Sequence, residues 1–114
     1  VVKIMTDCIF CKIANHEIPT TPVFENDKVI AFNDLEPQAP VHILVIPKKH
    51  VASVKDVEDL EMMKDLFDAV QKIVKEKNIT DFRTVINTGK EAGQSVFHLH
   101  IHILAGRPLL WPPG

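Results

Sequence analysis

The chain of 114 residues is poor in several things, and each shortage excludes a class of protein. It has only two cysteines, Cys8 and Cys11, spaced as C-x-x-C. In a reducing compartment such a pair is not a structural disulfide; it is a redox dithiol or half of a metal site. Neither sign of charge is in excess: 13 Lys and Arg face 15 Asp and Glu, for a formal net charge of -2. That argues against a nucleic-acid groove or an anionic membrane surface as partner. No apolar run approaches the roughly 20 residues of a membrane-spanning helix. The opening VVKIMTD lacks the long apolar stretch of a signal peptide. Repeats, low-complexity stretches and Gly/Ser linkers are also missing. With 46% hydrophobic residues, the expectation is one domain over 1–114, cytoplasmic, with no nucleic acid and no membrane as partner.

Local patterns supply the elements. Residues 7–14, DCIFCKIA, predict a short helix capped by Asp7 or Thr6. PVFENDKVIAFND predicts two short strands around a turn at Glu25-Asn26-Asp27. VHILVIP, 41–47, is a dense β-branched run and reads as a central strand. Residues 56–77 form one amphipathic helix, with Val57, Leu60, Met63, Phe67, Val70 and Val74 as its core stripe and Asp68 paired to Lys72. RTVINTG, 83–89, and FHLHIHILAG, 97–106, predict two more strands. The tail over 106–114 is too rich in proline for regular structure. Three strands, a helix and two strands give an α+β domain with a mainly antiparallel, five-stranded sheet.

The last strand carries the chemistry. His98, His100 and His102 sit at every second position, which places them on one strand face, with Leu99, Ile101 and Ile103 on the other. Histidine titrates, ligates metals and attacks phosphorus near neutral pH. Neighbouring histidines on a strand have Cα atoms about 6.6 Å apart and the outer pair about 13 Å apart, so one ion cannot take all three. At least one is free to act as nucleophile or proton shuttle. Upstream, GKEAGQS is a glycine-containing turn that can aim N–H groups at an anion, with Gln94 and Ser95 adding donors.

DCIFCKIANHEIP, AFNDLEPQAPVHILVIPKKH, VINTGKEAGQSVFHLHIHIL and the final WPPG together resemble the histidine triad family over nearly all of the chain from Asp7. Within it they are most similar to the Hint branch, nucleotide-binding proteins that act as purine nucleoside phosphoramidases. The resemblance implies the family fold, with the sheet continued across a homodimer, and cleavage of the P–N bond of purine nucleoside 5'-phosphoramidates. In that scheme His100 is the nucleophile, forming a nucleotidyl-histidine. His102 contacts the phosphate and protonates the leaving group together with Ser95, and His42 orients the nucleophile. Asn87 and Gln94 hold phosphate oxygens, and Asp34 accepts from the ribose hydroxyls. Ile9, Phe10, Ile13, Phe32 and Leu35 wall the purine. Trp111, on the proline-stiffened tail, reaches the partner's active site. His16 carries no motif and is left structural.

The resemblance also implies a structural zinc ion held by Cys8, Cys11, His50 and His98, with no cofactor needed for the chemistry itself. Two thiolates and two imidazoles suit a closed tetrahedral site. That assignment would release His100 and His102 for phosphate. A thioredoxin-like role does not fit, since the C-x-x-C pair lies in no βαβ unit. Two other functions remain open on the sequence. One is a dinucleoside polyphosphate hydrolase or nucleotidyl transferase of the same superfamily. The other is a purine-nucleotide-binding or interaction module with little catalysis of its own.

Overall fold

The computed structural model describes residues 8–114. Helix α1, Ile9–Ala14, comes first. It is followed by strands β1 (Phe24–Glu25), β2 (Val29–Asn33) and β3 (Val41–Pro47), helix α2 (Leu60–Glu76), and strands β4 (Phe82–Val85) and β5 (Ile101–Ala105). The five strands form one sheet in the order β1-β2-β3-β5-β4, every pair antiparallel. This is the α+β architecture expected. No helix among the described residues is long and apolar enough to cross a membrane.

Alternation along the strands gives the sheet two apolar faces. Val29, Ala31, Ile43, Val45, Ile101 and Ile103 meet Leu66, Ala69, Val70 and Ile73 of α2. On the opposite face Ile30, Phe32, Leu44 and Ile46 meet Phe10, Ile13 and Ala14 of α1. The strand period of two sends neighbouring residues to these two layers. His42 on β3 and His102 on β5 share the α1 face with Leu44, which stands opposite His102 in the ladder.

Several boundaries and contacts differ from the sequence reading. Asp7 and Thr6, expected to cap α1, lie outside the described residues; Cys8 takes the cap position, its sulfur accepting from the Cys11 N–H at 3.4 Å. α2 is shorter than 56–77, and a 3-10 turn over Val54–Asp56 precedes it. Its buried face runs through Leu66, Ala69, Val70, Ile73 and Val74, whereas Leu60 and Phe67 of the expected core stripe are 78% and 42% exposed. α2 therefore carries more apolar surface than its own core uses. The Asp68–Lys72 pair forms as expected, at 2.9 Å.

The histidine strand is also shorter than predicted. Only His102 lies within the β5 ladder; His98 and His100 precede it. Ladder bonding there gives way to two other ties. The Leu99 N–H donates to the Val51 carbonyl at 2.7 Å, and the Gln94 side-chain amide donates to the Ala52 carbonyl at 2.6 Å. Leu99, Ile101 and Ile103 nevertheless enter the α2 core as expected.

Just past β5 the chain turns at Gly106, whose φ is +94°. A Cβ there would stand 2.8 Å from the Pro40 Cβ. Gly106→Ala adds left-handed backbone strain to overpacking, so the variant is expected to lose about 2–3 kcal/mol of unfolding free energy. Urea denaturation measures this directly, and an unshifted midpoint would mean that the 36–40 loop yields without cost.

Candidate active site and metal centre

Two groups of side chains assemble on the α1 side of the sheet. The first joins α1, the segment after β3 and the segment before β5. Cys8 and Cys11 are one helical turn apart and so share a face of α1. His50 and His98 reach the same point because the 51–52 and 94–99 segments are tied together. The ligating atoms of all four residues lie within 4.8 Å of one another. Individual distances are 3.4 Å from Cys8 Sγ to His98 Nδ1, 3.2 Å from Cys11 Sγ to His50 Nδ1, 3.6 Å from Cys11 Sγ to His98 Nδ1, and 3.2 Å between the two Nδ1 atoms.

These edges can be tested against a metal. A tetrahedral zinc ion bonded at about 2.3 Å to sulfur and about 2.05 Å to nitrogen spans ligand edges of roughly 3.3–3.8 Å. The four residues fit. His98 is further prepared: its Nε2–H donates to the Pro47 carbonyl at 2.8 Å, which leaves Nδ1 as the lone-pair nitrogen.

The second group lines a cleft of about 570 Å³. Ile9, Phe10, Ile13, Phe32 and Leu35 form apolar wall, and Asp34, Ser95, His100 and His102 bring polar atoms to it. These nine were all singled out from the sequence. Phe10 packs edge-on against the rings of Phe32, His98 and His100, so it belongs to the core as much as to the cleft. A second cleft of about 690 Å³ lies between β4, the 78–81 loop and the tail, and no histidine or cysteine lines it.

Hydrogen bonding makes His100 and His102 different. His100 Nδ1 lies 2.8 Å from the His98 carbonyl. A carbonyl only accepts, so Nδ1 carries the proton and Nε2 keeps a lone pair. For His102 the argument starts further away. The Gln38 main-chain N–H donates to His42 Nδ1 at 3.0 Å. His42 therefore carries its proton on Nε2, which lies 2.8 Å from His102 Nδ1 and 3.4 Å from Asp34 Oδ2. His102 Nδ1 must accept, so its proton sits on Nε2, which is buried and has no hydrogen-bond partner among the described residues. One imidazole thus offers a lone pair and its neighbour an N–H, with ring centroids 4.9 Å apart.

Asp34, His42 and His102 could also be read as metal ligands, since their atoms cluster within 4.8 Å. The 2.8 Å between imidazole nitrogens is hydrogen-bond spacing, and a metal on His42 Nε2 would displace the proton that the Gln38 amide places there. We read the group as a relay.

Two expected contacts turn out otherwise. His42 bonds to His102, its Nε2–H lying 2.8 Å from His102 Nδ1, and not to His100. Gln94 is buried and donates both amide hydrogens to the carbonyls of Ala52 and Val96, while its oxygen accepts from the Gly89 N–H. It has no donor left for phosphate and instead holds the loop. Asp34 is partly a turn residue, its Oδ1 accepting from the Glu36 N–H at 2.8 Å. Asn87 lies in the loop after β4, and Trp111 is 82% exposed; neither lines the cleft of this chain. The main-chain amide of Gln38 was missed, and no sequence signal points to it.

A family model described as scavenger mRNA decapping enzyme C-term binding matches residues 7–108. An uncharacterized HIT-like protein of Synechococcus elongatus is 50% identical, over 95% of this chain and 97% of its own. The adenylylsulfatase HINT1 of Arabidopsis thaliana is 43% identical, over 93% of this chain and 76% of its own. The 14 kDa zinc-binding protein of Brassica juncea is 42% identical, over 95% of this chain and all of its own. Among solved structures, a HIT family hydrolase of Legionella pneumophila superposes with a TM-score of 0.90 at 44% identity, covering 95% of this chain and 100% of that one.

Burial lowers the His100 pKa, partly offset by its bond to the His98 carbonyl and by the charge of Asp34. Burial, with the His100 and His42 rings beside it, brings His102 from 6.5 down to about 4. His102 is therefore expected to titrate at about 4 in an NMR pH series. An unfolded chain takes up that proton first, so this contribution to stability is complete above 6.5 and is lost as pH falls towards about 4. A His102 resonance titrating at the ordinary value would refute the buried relay.

Proposed function

The chain belongs to the histidine triad family, and from that premise we propose that it is a hydrolase of the Hint kind, cleaving the P–N bond of purine nucleoside 5'-phosphoramidates. The observation that carries this reading is the pairing of a lone-pair imidazole, His100, with an N–H imidazole, His102, in one cleft. Phosphoryl transfer to a nucleophile needs both, an attacking lone pair and a donor where negative charge gathers.

In the proposed reaction the purine lies against Ile9, Phe10, Ile13, Phe32 and Leu35, and Asp34 accepts from the ribose. A carboxylate keeps acceptor sites for this even with one oxygen used in the turn. His100 Nε2 attacks the α-phosphorus, a nitrogen–phosphorus bond forms, and the P–N bond to the amine breaks. The departing nitrogen takes a proton delivered through His102 Nε2, with the Ser95 hydroxyl beside it. Water then attacks the nucleotidyl-His100, releasing nucleoside monophosphate and returning a proton. Asn87, outside the cleft lining, is given a phosphate contact on the family resemblance alone.

A second reading has one specific support: the Arabidopsis relative is named an adenylylsulfatase. The same attack at the α-phosphorus, with sulfate leaving, would serve that substrate. Sulfate departs without needing a proton, so the His102 donor favours the amine.

Cys8, Cys11, His50 and His98 would hold zinc, on the fit of their edges and the presence of a zinc-binding protein among the relatives. All four positions of a tetrahedral ion are then filled by protein, and zinc supplies folding energy rather than chemistry. We also assign the protein a homodimeric state. Among the described residues the outer edge of β4 is unpaired, and Leu60 and Phe67 leave apolar surface on α2. Trp111, exposed here, would then pack at the partner's cleft.

Two experiments test these assignments. Quenched-flow mixing with an adenosine phosphoramidate is expected to trap one nucleotidyl adduct, on His100. His100→Ala should form none and lose turnover by at least about 100-fold, while adenosine monophosphate still binds. An adduct elsewhere, or faster turnover of adenylyl sulfate or a dinucleoside polyphosphate, would replace this reading. Native mass spectrometry should show two chains and two zinc ions. Cys11→Ser should lose the metal and melt earlier, and a metal-free monomer for the unaltered protein would count against both the zinc and the dimer.

A further inference from the structure

The hydrogen-bond relay that gives His102 its N–H does not end at Gln38. Gln38 sits in the exposed loop between β2 and β3, and its main-chain carbonyl accepts from Arg107 Nε at 3.0 Å. Arg107 is the second residue of the tail, immediately after Gly106, whose backbone rests against Pro40 of the same loop. The guanidinium uses a second nitrogen as well: Nη1 donates to the Pro108 carbonyl at 3.0 Å. The root of the tail is thus fastened to the loop by a backbone contact at Pro40 and one guanidinium bond at Gln38, the second holding the guanidinium to the tail itself.

The fastening bears on which proton His102 can give. Gln38 N–H to His42 Nδ1, at 3.0 Å, is the closest bond that sets the His42 proton; Asp34 Oδ2 faces the His42 Nε2 more loosely, at 3.4 Å. If that amide drifts, His42 is free to carry its proton on Nδ1. His42 Nε2 then becomes an acceptor, His102 must donate from Nδ1, and its Nε2 presents a lone pair. The two imidazoles would then offer two lone pairs to the cleft and no N–H. The tautomer of a neutral imidazole is set by the bonds its nitrogens make, and here the held amide is the shorter of the two contacts that choose it.

We propose that Arg107 is a positioning residue: by pinning Gln38 it holds His42 and His102 in the tautomers that place an N–H at His102 Nε2. The proposal rests on the reading of His102 as donor to the leaving amine. Arginine suits the task because its planar fork spans two carbonyls at fixed angles, which the single ammonium of lysine does not.

The test uses the intact, metal-loaded protein labelled with 15N in its histidines, as wild type, Arg107→Ala and Arg107→Lys. At pH 7 the wild-type His102 spectrum should show a protonated Nε2 and an unprotonated Nδ1. In Arg107→Ala both nitrogens should move towards averaged values, with Arg107→Lys between the two. Turnover should divide by leaving group. Loss of an aligned donor should cost Arg107→Ala about tenfold on an alkylamine phosphoramidate, and less than about twofold on the nitrophenyl ester of the same nucleotide. Arg107 is exposed, and an unchanged thermal midpoint for Arg107→Lys guards against a folding artefact. An unchanged His102 spectrum in Arg107→Ala overturns the proposal, as does an equal loss on both substrates. If the tautomers shift while the wild type turns over neither substrate, the positioning role stands and the phosphoramidase reading falls.

Discussion

His98 has no exposed surface, and three of its atoms hold three different parts of the molecule. Nδ1 faces the two cysteines and His50, Nε2–H is bonded to the Pro47 carbonyl, and its own carbonyl takes the proton-bearing nitrogen of His100. An imidazole buried without partners would cost several kcal/mol, so each of these contacts is required by the burial itself. Helix α1 depends on the same point. Six residues are too few for a helix to persist alone, and α1 is held by its cysteines at one end and by Phe10 packed on the histidine rings. Because α1 also walls the cleft through Ile9, Phe10 and Ile13, the Cys/His cluster and the candidate active site share one support.

The contrast between His100 and His102 shows how identical side chains acquire opposite roles. Both lie in the same short run and both are partly or wholly buried. What separates them is the group that meets Nδ1. A backbone carbonyl forces His100 to donate there, and a histidine whose own proton is placed by a backbone amide forces His102 to accept. Two main-chain groups, far apart in sequence, therefore decide which ring can attack and which can donate. Burial keeps both rings neutral at pH 7, so the tautomers persist where the chemistry would need them.

Much of this was legible in the sequence because it depends on local period and residue chemistry. The succession of elements along the chain, the amphipathic helix, the alternation of His98, His100 and His102 against Leu99, Ile101 and Ile103, and the grouping of C-x-x-C with His50 and His98 all follow from spacing and type or from resemblance. The failures share a cause as well. The helical stripe through Leu60 and Phe67 satisfied the same period as the true one through Leu66 and Ile73, and one helix can carry both. Gln94 offers the donors that a phosphate cradle needs, yet two carbonyls consume them.

Sequence by itself determined which chemical groups are available and which face of the sheet each must occupy, because side-chain identity and backbone period are written in it. Only the tertiary structure decided which nitrogen carries each proton, that His42 serves His102, and that the tail meets the loop carrying Gln38. Those outcomes are set by main-chain amides and carbonyls. Every residue but proline carries the same two, so their partners are chosen by where the folded chain places them and not by any letter of the sequence.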